Sequence, residues 1–584
     1  MTAIDTIIIA AYFVVVMGLG LYYQRSSAAS LDSYFLGNKD IPWYLLAFSG
    51  SATNFSVCGT VWQISVLFFL GMKSFYIHLA WGSVIPAFWM AYAAIWIRRS
   101  RVMTAAELVQ LRFGPGSGSR CARTSYALLG VLGAAGIIGM AFVVLAEFSK
   151  VYGLPPVKTA TAITLLTSAY VLLGGFKGVI ITDFIQSILL ALSGIVMAVI
   201  AYRVVDPQIL AENIGNIDDW LSLGIPEKTN VPEYENFRSI TLSRMFIGTM
   251  LCFTVTAGGF GEQRFLAAKS TAEAAKISAF WNIVLIPRWL FTAAIAFLGL
   301  YAFSDINRDQ VDQLLPMVLN KYLTTGIRGL VVVSLVAAFM STISSLINSG
   351  ASMMMRDIIQ PLLKTGDGEK RLVWLSYLST AIIIAAGLAI GIISCSYSTL
   401  NSLWSWIMAG LGASVIFPNV LRWYWWRVNG WGFMTGFFSG LVVALLMLIP
   451  NFPLSDNAMS ILCVLVSGAG CVIGSLLTEP VKEDYINEFY KRVRPFGFWK
   501  KVYKRLGMSE QDHKKRSDNP YLVFFNAIIA GIALHAYYMC SIYVVGHFFK
   551  ETLISLAVAA VTSIVLYFTW YRMTILKEQE SKEE

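Results

Sequence analysis

The sequence predicts an all-α polytopic membrane protein: an inverted repeat of five plus five transmembrane helices, with one extra helix before it and about four after it. Of the 584 residues, 57% are hydrophobic and only 13% are charged, and the mean hydropathy is +0.65. A helix that spans a bilayer needs roughly 20 mostly apolar residues, and about fifteen such stretches follow one another along the chain. Two of these stretches are interrupted in the same way, which predicts the repeat.

The first apolar stretch forms the region 1–40 together with its loop. Its N-terminal flank, Met1 to Asp5, lacks the basic residues of a signal peptide, so we expect a retained helix. The predicted spans are 4–24, 43–71, 77–97, 124–149, 156–173, 178–204, 239–261, 276–303, 329–355, 373–395, 399–421, 431–450, 457–478, 521–546 and 551–571.

The interrupted stretches are 48–59 and 254–261, which are rich in glycine and hydroxyl side chains where a lipid-facing helix would be aliphatic. Counting from them gives two sets of five spans, in regions 41–204 and 239–430. Because five is odd, the second set enters the membrane in the opposite sense. Broken helices at corresponding places in an inverted repeat indicate a transporter's central site. For Gly258 and Gly259 alone, close helix packing explains the glycines equally well.

The net charge of +10 is distributed unevenly over the loops. By the positive-inside rule this predicts an outside N-terminus and a cytoplasmic C-terminus in a plasma (inner) membrane. It indicates orientation and lipid contact rather than nucleic-acid binding. The region 431–584 then holds accessory helices and a cytoplasmic loop, 479–520, which we expect to be a solvated surface rather than a docking site. The basic loops carry Arg98, Arg99, Arg101, Arg112, Arg120, Lys177, Arg264, Lys269, Arg356, Lys370, Arg422, Arg427 and the cluster 491–516, whereas the acidic loop 205–238 carries Asp206, Glu212, Asp218, Asp219, Glu227, Glu233 and Glu235.

A polar stripe runs through the hydrophobic stretch 329–355. Ser341, Ser344, Ser345, Asn348 and Ser352 follow the spacing i, i+3, i+4, i+7 and i+11, so they share one face of a helix. Singly, such residues often bond their own helix carbonyls or let helices approach closely. Their density on one face predicts a small hard cation as their partner.

Several motifs resemble those of the sodium:solute symporter family. The stretch 174–186, Gly-Gly-Phe-Lys-Gly-Val-Ile-Ile-Thr-Asp-Phe-Ile-Gln, is similar to its signature, and 263–270 and 329–342 are similar to two further motifs. The cytoplasmic stretch 489–499 resembles the bacterial sodium/sugar cotransporter branch. Over roughly 5–430, this resemblance implies the inverted-repeat fold, Na⁺ as the coupling ion and a protein that functions as a monomer in membrane lipid.

The resemblance also implies a principal sodium site, called the first sodium site below. Its ligands would be two carbonyls of the first broken helix, from Ala52 and Phe55, and one carbonyl from Ala338. Two hydroxyls, from Ser341 and Thr342, complete the set.

Some members have a second sodium site, whose matching residues are Asp183, Ser344 and Ser345. A carboxylate at the centre of a membrane helix costs roughly 2.5–3.5 kcal/mol on insertion scales, and a bound cation would offset that cost. The alternative is a helix cap that faces cytoplasmic water near Lys177. We expect two Na⁺ per solute.

The solute pocket is less clear. Polar ligands of the galactose-binding members are replaced here, for instance at Gly59 and Leu251. Arg288 could pair with an anionic solute, could extend to the membrane surface, or could satisfy carbonyls freed by Pro287. The candidate pocket residues are Ser56, Gly59, Trp62, Gln63, His78, Trp81, Phe253, Thr254, Thr256, Trp404 and Ser405.

These observations favour a sodium-coupled symporter that imports a small organic solute, a sugar or sugar derivative by likeness to the sugar branch. The alternatives are a carboxylate, an amino acid, or a solute sensor on a transporter fold. A membrane enzyme is not expected, because only His78, His535 and His547 lie within or next to predicted spans and none has a metal-ligand spacing. The seven scattered cysteines predict neither disulfides nor a zinc site.

Overall fold

The computed structural model describes residues 2–255, 262–306, 308–363, 368–397, 412–447, 449, 453–516 and 518–576. The regular elements of these residues are helices, with one isolated bridge between Trp425 and Phe498. Ten continuous helical runs of the described residues, some of them made of two or more successive helices, are long and apolar enough to cross a membrane. The predicted all-α membrane class is therefore confirmed.

The leading helix and the first half of the core contain an interrupted helix and one very long helix. Short π-helical turns at Ala80–Val84 and Trp89–Ala93 connect the three short helices between residues 75 and 100 into one continuous helical run. The helices are α1 (Ala3–Ser27), α2 (Leu31–Leu36), α3 (Trp43–Phe55), α4 (Val57–Leu70), α5 (Phe75–Leu79), α6 (Ile85–Phe88), α7 (Ala94–Ser100), α8 (Ala105–Phe113), α9 (Ser117–Val151) and α10 (Pro156–Val204).

The connecting loop and the second half follow in the predicted order. Of the second interrupted stretch, 254–261, the structure describes only the first two residues, of which Val255 has a left-handed φ of 58°; residues 256–261 lie outside the described residues. The helices are α11 (Pro207–Ile214), α12 (Ile217–Leu221), α13 (Phe237–Phe253), α14 (Glu262–Ala267), α15 (Thr271–Val284), α16 (Ile286–Ala302), α17 (Leu314–Tyr322), α18 (Ile327–Met353), α19 (Glu369–Tyr397) and α20 (Ala413–Tyr424).

Four long accessory helices come next, with three short helices between the second and the third. They are α21 (Gly430–Leu446), α22 (Asp456–Leu477), α23 (Glu483–Val493), α24 (Lys500–Arg505), α25 (Glu510–Arg516), α26 (Pro520–Val545) and α27 (Phe549–Leu566), the last continued by a π-helical turn at Tyr567–Leu576.

The 49-residue helix α10 contains two of the predicted spans. It is bent at Gly175, where φ is 53°. A Cβ at this position would lie 2.9 Å from Ser27 Cβ of α1, so both the backbone angle and the close approach of α1 require glycine. The two glycines of the 174–186 motif thus make a bend rather than a loop.

Helix α18 lies at the centre of the bundle. Every residue from Val331 to Met353 is buried, and the helix contacts α1, α3, α9, α10 and α19. Asp5 of α1 is fully buried and fixes the start of α18. Its carboxylate accepts hydrogen bonds from the Gly326 and Gly329 amides at 2.9 and 3.0 Å and pairs with Arg328 at 3.0 Å.

The acidic loop and the basic loops make contacts at two ends of the bundle. At one end, called the acidic-loop end, Lys73 pairs with Asp219 at 2.9 Å and Trp62 Nε1 donates to Tyr234 of the same loop at 3.2 Å. At the other, called the basic end, Arg98 Nε donates to the Ala268 carbonyl at 2.5 Å.

The segment 479–520 differs from the solvated surface that the sequence analysis expects. Phe489, Val493, Trp499 and Val502 are at most 1% exposed, so the segment packs onto the basic end. Large apolar side chains hidden in its charged sequence explain the difference, because their burial outweighs the loss of hydration of the neighbouring backbone.

Arg112 of α8 holds this packing together. Its guanidinium donates to the carbonyls of Arg422 at 2.8 Å and Trp425 at 3.0 Å. It also lies 5.3 and 5.0 Å from the ring centres of Phe489 and Trp499. Burial lowers the pKa of Arg112 to about 9, so the group is still protonated at neutral pH.

We expect Arg112→Ala to lower the midpoint of thermal unfolding, Tm. Hydrogen bonds to a charged group contribute roughly 1.5–3 kcal/mol each, and the buried carbonyls would lose their donor. Thermal unfolding of the purified protein in detergent measures the effect. Arg120→Ala, at an exposed arginine close in sequence, is the control, and equal Tm values for the two variants would contradict this role of Arg112.

Candidate functional site

The first interrupted helix breaks between α3 and α4. Ser56 has a φ of 25°, so α3 ends at Phe55 and α4 restarts in a new direction. The Thr60 hydroxyl donates to the freed Phe55 carbonyl at 2.7 Å, and Ser56 Oγ accepts the Gly59 amide at 3.4 Å. Side-chain hydroxyls thus satisfy backbone groups that the break releases.

Helix α18 meets α3 just before this break. Thr342 Oγ1 lies 3.1 Å from the Thr53 carbonyl and 3.0 Å from the Ala338 carbonyl. Ser341 Oγ lies 3.3 Å from Thr53 Oγ1. The structure therefore brings Ala338, Ser341 and Thr342 against the end of α3.

The two remaining residues of the first sodium site, Ala52 and Phe55, belong to the same end of α3 and are 1% and 3% exposed. All five residues of the predicted first sodium site are thus buried, and the oxygens they would supply are carbonyls and hydroxyls. Hard cations prefer oxygen ligands, and the chemistry of this set fits Na⁺.

Asp183, on the second half of α10, is fully buried one turn further along α18. Its Oδ2 accepts a hydrogen bond from Ser49 Oγ and lies 3.5 Å from Arg264 Nη2. Its Oδ1 has no hydrogen-bond partner within the part of the chain that the structure describes.

Arg264 supplies the cation of this cluster. The sequence analysis places it in a basic loop, but it is 1% exposed. Its Nη2 donates to Thr53 Oγ1 at 2.6 Å and to Ser345 Oγ at 2.7 Å. The guanidinium of Arg264 therefore joins Ser345 and Asp183, two residues of the predicted second sodium site. The third, Ser344, donates its hydroxyl to the Ser341 carbonyl at 3.0 Å.

The lower part of the polar stripe is bound by the residue next to Arg264. Asn348 Nδ2 donates to Gln263 Oε1 at 3.2 Å, and Gln263 Nε2 donates to Ser352 Oγ at 3.1 Å. The stripe thus faces the 263–270 motif as well as the predicted ion.

A group of the predicted pocket residues lies on α4 and α5. The rings of Trp62 and His78 are 5.6 Å apart, and His78 Nε2 lies 3.0 Å from the Tyr538 hydroxyl of α26. Gln63 is 5% exposed, and its Oε1 has no hydrogen-bond partner among the described side chains and backbone. These predicted residues, with Ser56 and Gly59, all belong to α5, α4 or the break before α4, and they are called the solute wall below.

The other predicted pocket residues do not join this wall. Trp81 is 43% exposed. Phe253 packs 5.4 Å from Phe88 and 6.0 Å from Tyr424, in an aromatic group nearer the basic end, and Thr254 Oγ1 donates to the Leu251 carbonyl at 2.7 Å. Thr256, Trp404 and Ser405 lie outside the described residues.

Sequence reasoning missed several members of the site. Ser49 and Thr53 were part of the polar break, which signalled the site without identifying them. Arg264 was visible only as one member of a motif. Thr60 gave no signal, because one hydroxyl near a span is common.

Comparison with known proteins identifies the family. The family model described as the sodium:solute symporter family matches residues 34–440, more than half of the chain. The sodium/glucose cotransporter of Vibrio parahaemolyticus is 25% identical over 413 residues, which cover 63% of this chain and 71% of that protein.

Two further relatives have different solutes in their names. The osmoregulated proline transporter of Bacillus subtilis (strain 168) is 22% identical and covers 85% of this chain and 97% of its own. The sodium/sialic acid symporter of Aliivibrio fischeri (strain ATCC 700601 / ES114) is 23% identical and covers 68% and 77%.

Among solved structures, the substrate-bound outward-open state of a Na⁺-coupled sialic acid symporter superposes with a TM-score of 0.68. It is 19% identical and covers 82% of this chain and 99% of that chain. This likeness shows the fold.

We expect the double variant Ser341→Ala, Thr342→Ala to lose Na⁺-dependent stabilisation, because it removes both hydroxyl ligands of the first sodium site. A ligand at 100 times its Kd stabilises a protein by about 2.7 kcal/mol, which raises Tm. Thermal unfolding in Na⁺ and in K⁺ measures this. Ser334→Ala is the matched control, since Ser334 is a fully buried serine on the same helix that donates to the Val331 carbonyl. A Na⁺-dependent rise that persists in the double variant would contradict the site.

Proposed function

The chain belongs to the sodium:solute symporter family, and we propose that it imports one small organic solute together with Na⁺ by alternating access. The observation that carries the proposal is the meeting of Thr342 with the broken end of α3, where its hydroxyl lies within 3.1 Å of two backbone carbonyls. An ion bound there would hold α18 and α3 together. It would thereby favour one state of the transporter over the other.

The solute would bind beside this ion, against the wall of Ser56, Gly59, Trp62, Gln63 and His78. Aromatic faces with a few convergent polar atoms are typical of small-molecule sites. Phe253 would then close the path toward the basic end. The relatives named for glucose and sialic acid support a sugar or sugar derivative, whereas the relatives named for proline support an amino acid.

The basic end would face the cytoplasm, with the N-terminus outside. The clustering of arginines at one end and of the acidic loop at the other supports this orientation. Inward movement of one Na⁺ across 100 mV then supplies about 2.3 kcal/mol, and a tenfold gradient adds about 1.4 kcal/mol.

The second sodium site is conditional on Arg264. Two unit charges 4 Å apart repel by roughly 4 kcal/mol at an effective dielectric constant of 20, so Na⁺ and the guanidinium do not share the cluster. Asp183 Oδ1 and the hydroxyls of Ser344 and Ser345 would receive the ion when Arg264 withdraws. The 3.5 Å separation of Arg264 from Asp183 supports such an exchange, because the pair is held mainly through shared hydroxyls.

We expect purified protein in liposomes to accumulate a solute when the outside buffer contains Na⁺ and not when it contains K⁺. Thermal unfolding with sugars, polyols, amino acids and carboxylates identifies the solute for the uptake assay. Empty liposomes and the Ser341→Ala, Thr342→Ala variant are the controls. Na⁺-dependent binding without any uptake would show a sensor instead.

We expect two Na⁺ per solute in the wild type and one in Asp183→Asn. The amide lacks the charge that stabilises a second ion, and the first sodium site is unaltered. The ratio of radioactive Na⁺ flux to solute flux in liposomes measures this. Asp206→Asn, at an exposed acid of the connecting loop, is the control. A wild-type ratio of one would show that Arg264 keeps its place throughout the cycle.

A further inference from the structure

Arg288 is a buried cation in the middle of a membrane span. It lies near the centre of the helical run Thr271–Ala302 and is 7% exposed. Its Nε donates to Thr60 Oγ1 of α4 at 3.1 Å. In the described part of the chain this is the one hydrogen bond of its side chain, and no Asp or Glu pairs with it. An arginine carries five N–H donors, so most of them have no partner there.

The two structural roles that the sequence leaves open do not fit this placement. From the middle of a span, an arginine side chain is too short to reach either membrane surface. Its one bond goes to a side-chain hydroxyl and not to a carbonyl freed by Pro287. The ring of Trp289, 5.2 Å from the guanidinium, offsets only a part of the cost of burial, roughly 2 kcal/mol or somewhat more when desolvated.

Three other arginines with little exposure have an anion or a set of acceptors beside them. Arg264 donates to three hydroxyls beside Asp183, Arg328 pairs with Asp5, and Arg112 donates to carbonyls of α20 and the residues that follow it. Arg288 therefore differs from them in lacking an anion or a set of acceptors. Uncompensated charge inside a membrane indicates a functional site.

The guanidinium points at the start of α4. A Cβ at Gly59 would lie 3.0 Å from Arg288 Nη2 and 3.8 Å from Ser56 Oγ, so the glycine leaves open the space between them. The N-terminus of the 14-residue helix α4 contributes the positive end of its dipole and free amides. Two independent sources of positive potential thus meet at one point of the proposed solute wall.

A second arginine lies on the same aromatic wall, nearer the acidic-loop end. The guanidinium of Arg244 is 5.6 Å from the ring of Trp62, whose ring contacts His78. His78 in turn stacks 6.4 Å from Trp289. Arg244 Nη1 donates to the Ile77 carbonyl at 3.3 Å, while its Nε has no partner among the described atoms. Arg244 and Arg288 form a path of positive charge from one end of the bundle to its middle.

We propose that the transported solute is a small organic monocarboxylate without an ammonium group, and that Arg288 binds its carboxylate through Nη1 and Nη2. The inference rests on the proposed symport function and names its substrate class. A planar guanidinium binds a carboxylate with two parallel hydrogen bonds. The ring of Trp62 and the amide of Gln63 would hold the body of the solute. Neither arginine has an acid beside it in the described structure, so the positive charge of this wall disfavours an ammonium group.

Thr60 connects this carboxylate site with the first sodium site. Its hydroxyl accepts from Arg288 Nε at 3.1 Å and donates to the Phe55 carbonyl at 2.7 Å, one of the proposed ligands of Na⁺. Thr60 is a positioning residue in this arrangement. An anion on Arg288 and a cation on Phe55 each favour the binding of the other, because opposite charges in a low-dielectric interior attract.

The test compares matched acids and neutral analogues on the purified protein. The probes are galacturonate against galactose and lactate against propane-1,2-diol, with proline as a zwitterion, each in Na⁺ and in K⁺. We expect a carboxylate to raise Tm in Na⁺ and its neutral analogue to leave Tm unchanged. Arg288→Gln should weaken carboxylate binding at least ~100-fold, whereas Na⁺ alone should still raise Tm. Thr60→Val should reduce the effect of Na⁺ on carboxylate affinity, a coupling that a merely structural threonine would not change.

A second measurement does not need the solute. Arg288→Met should keep or raise the Tm of the ligand-free protein, because it removes an uncompensated buried charge. Arg112→Met should lower Tm and is the matched control, because the Arg112 guanidinium donates to several backbone carbonyls. An equal fall in the Tm of Arg288→Met and Arg112→Met would overturn the proposal. So would the finding that neither galacturonate nor lactate binds. If galactose or proline binds in a Na⁺-dependent way and still binds to Arg288→Gln, the carboxylate proposal is wrong but the symport proposal stands. If Na⁺ has no effect on the Tm or on ligand binding, the symport proposal itself is wrong.

Discussion

The structure depends on the neutralisation of charge inside a membrane. Asp183 and Arg264 are both fully buried, and neither would be stable there alone, since an unpaired charge that remains after its partner is removed costs roughly 3–5 kcal/mol. Their contact is shared by the hydroxyls of Ser49, Thr53 and Ser345. These groups come from α3, α10, α14 and α18, so one polar cluster fixes the relative positions of four helices from both halves of the repeat.

The same cluster explains why α3 is interrupted where it is. The Thr53 hydroxyl accepts a hydrogen bond from Arg264, and the Thr53 carbonyl accepts one from Thr342. The helix breaks three residues later at Ser56, where φ is 25°. The break exposes backbone oxygens beside the hydroxyls of α18. It also places the start of α4 opposite Arg288. The polar cluster, the proposed ion site and the proposed solute wall therefore draw on consecutive parts of one stretch of α3 and α4.

Much of this arrangement could be predicted from the sequence, because it depends on patterns of residues that are close together in the chain. The apolar stretches gave the spans, the glycines and hydroxyls of 48–59 gave the break, and the spacing of Ser341, Ser344 and Ser345 gave one polar face. What could not be predicted is which distant residue meets that face. Arg264 is 81 positions from Ser345, and a single arginine beside an apolar segment has the same local appearance in a loop as in a core. The packed segment 479–520 was missed for a similar reason, since its charged residues hide the spacing of Phe489, Val493 and Trp499.

The charge of the solute and the number of ions are linked through Arg264. If one Na⁺ enters with a monocarboxylate, the loaded step moves no net charge, and the membrane potential adds nothing to the driving force. Only the Na⁺ gradient remains, about 1.4 kcal/mol for each tenfold ratio. A second Na⁺ restores a net positive charge and with it about 2.3 kcal/mol per 100 mV. That ion requires Asp183 to be free of Arg264, so withdrawal of this guanidinium is the step that would make uptake of an anion sensitive to the membrane potential.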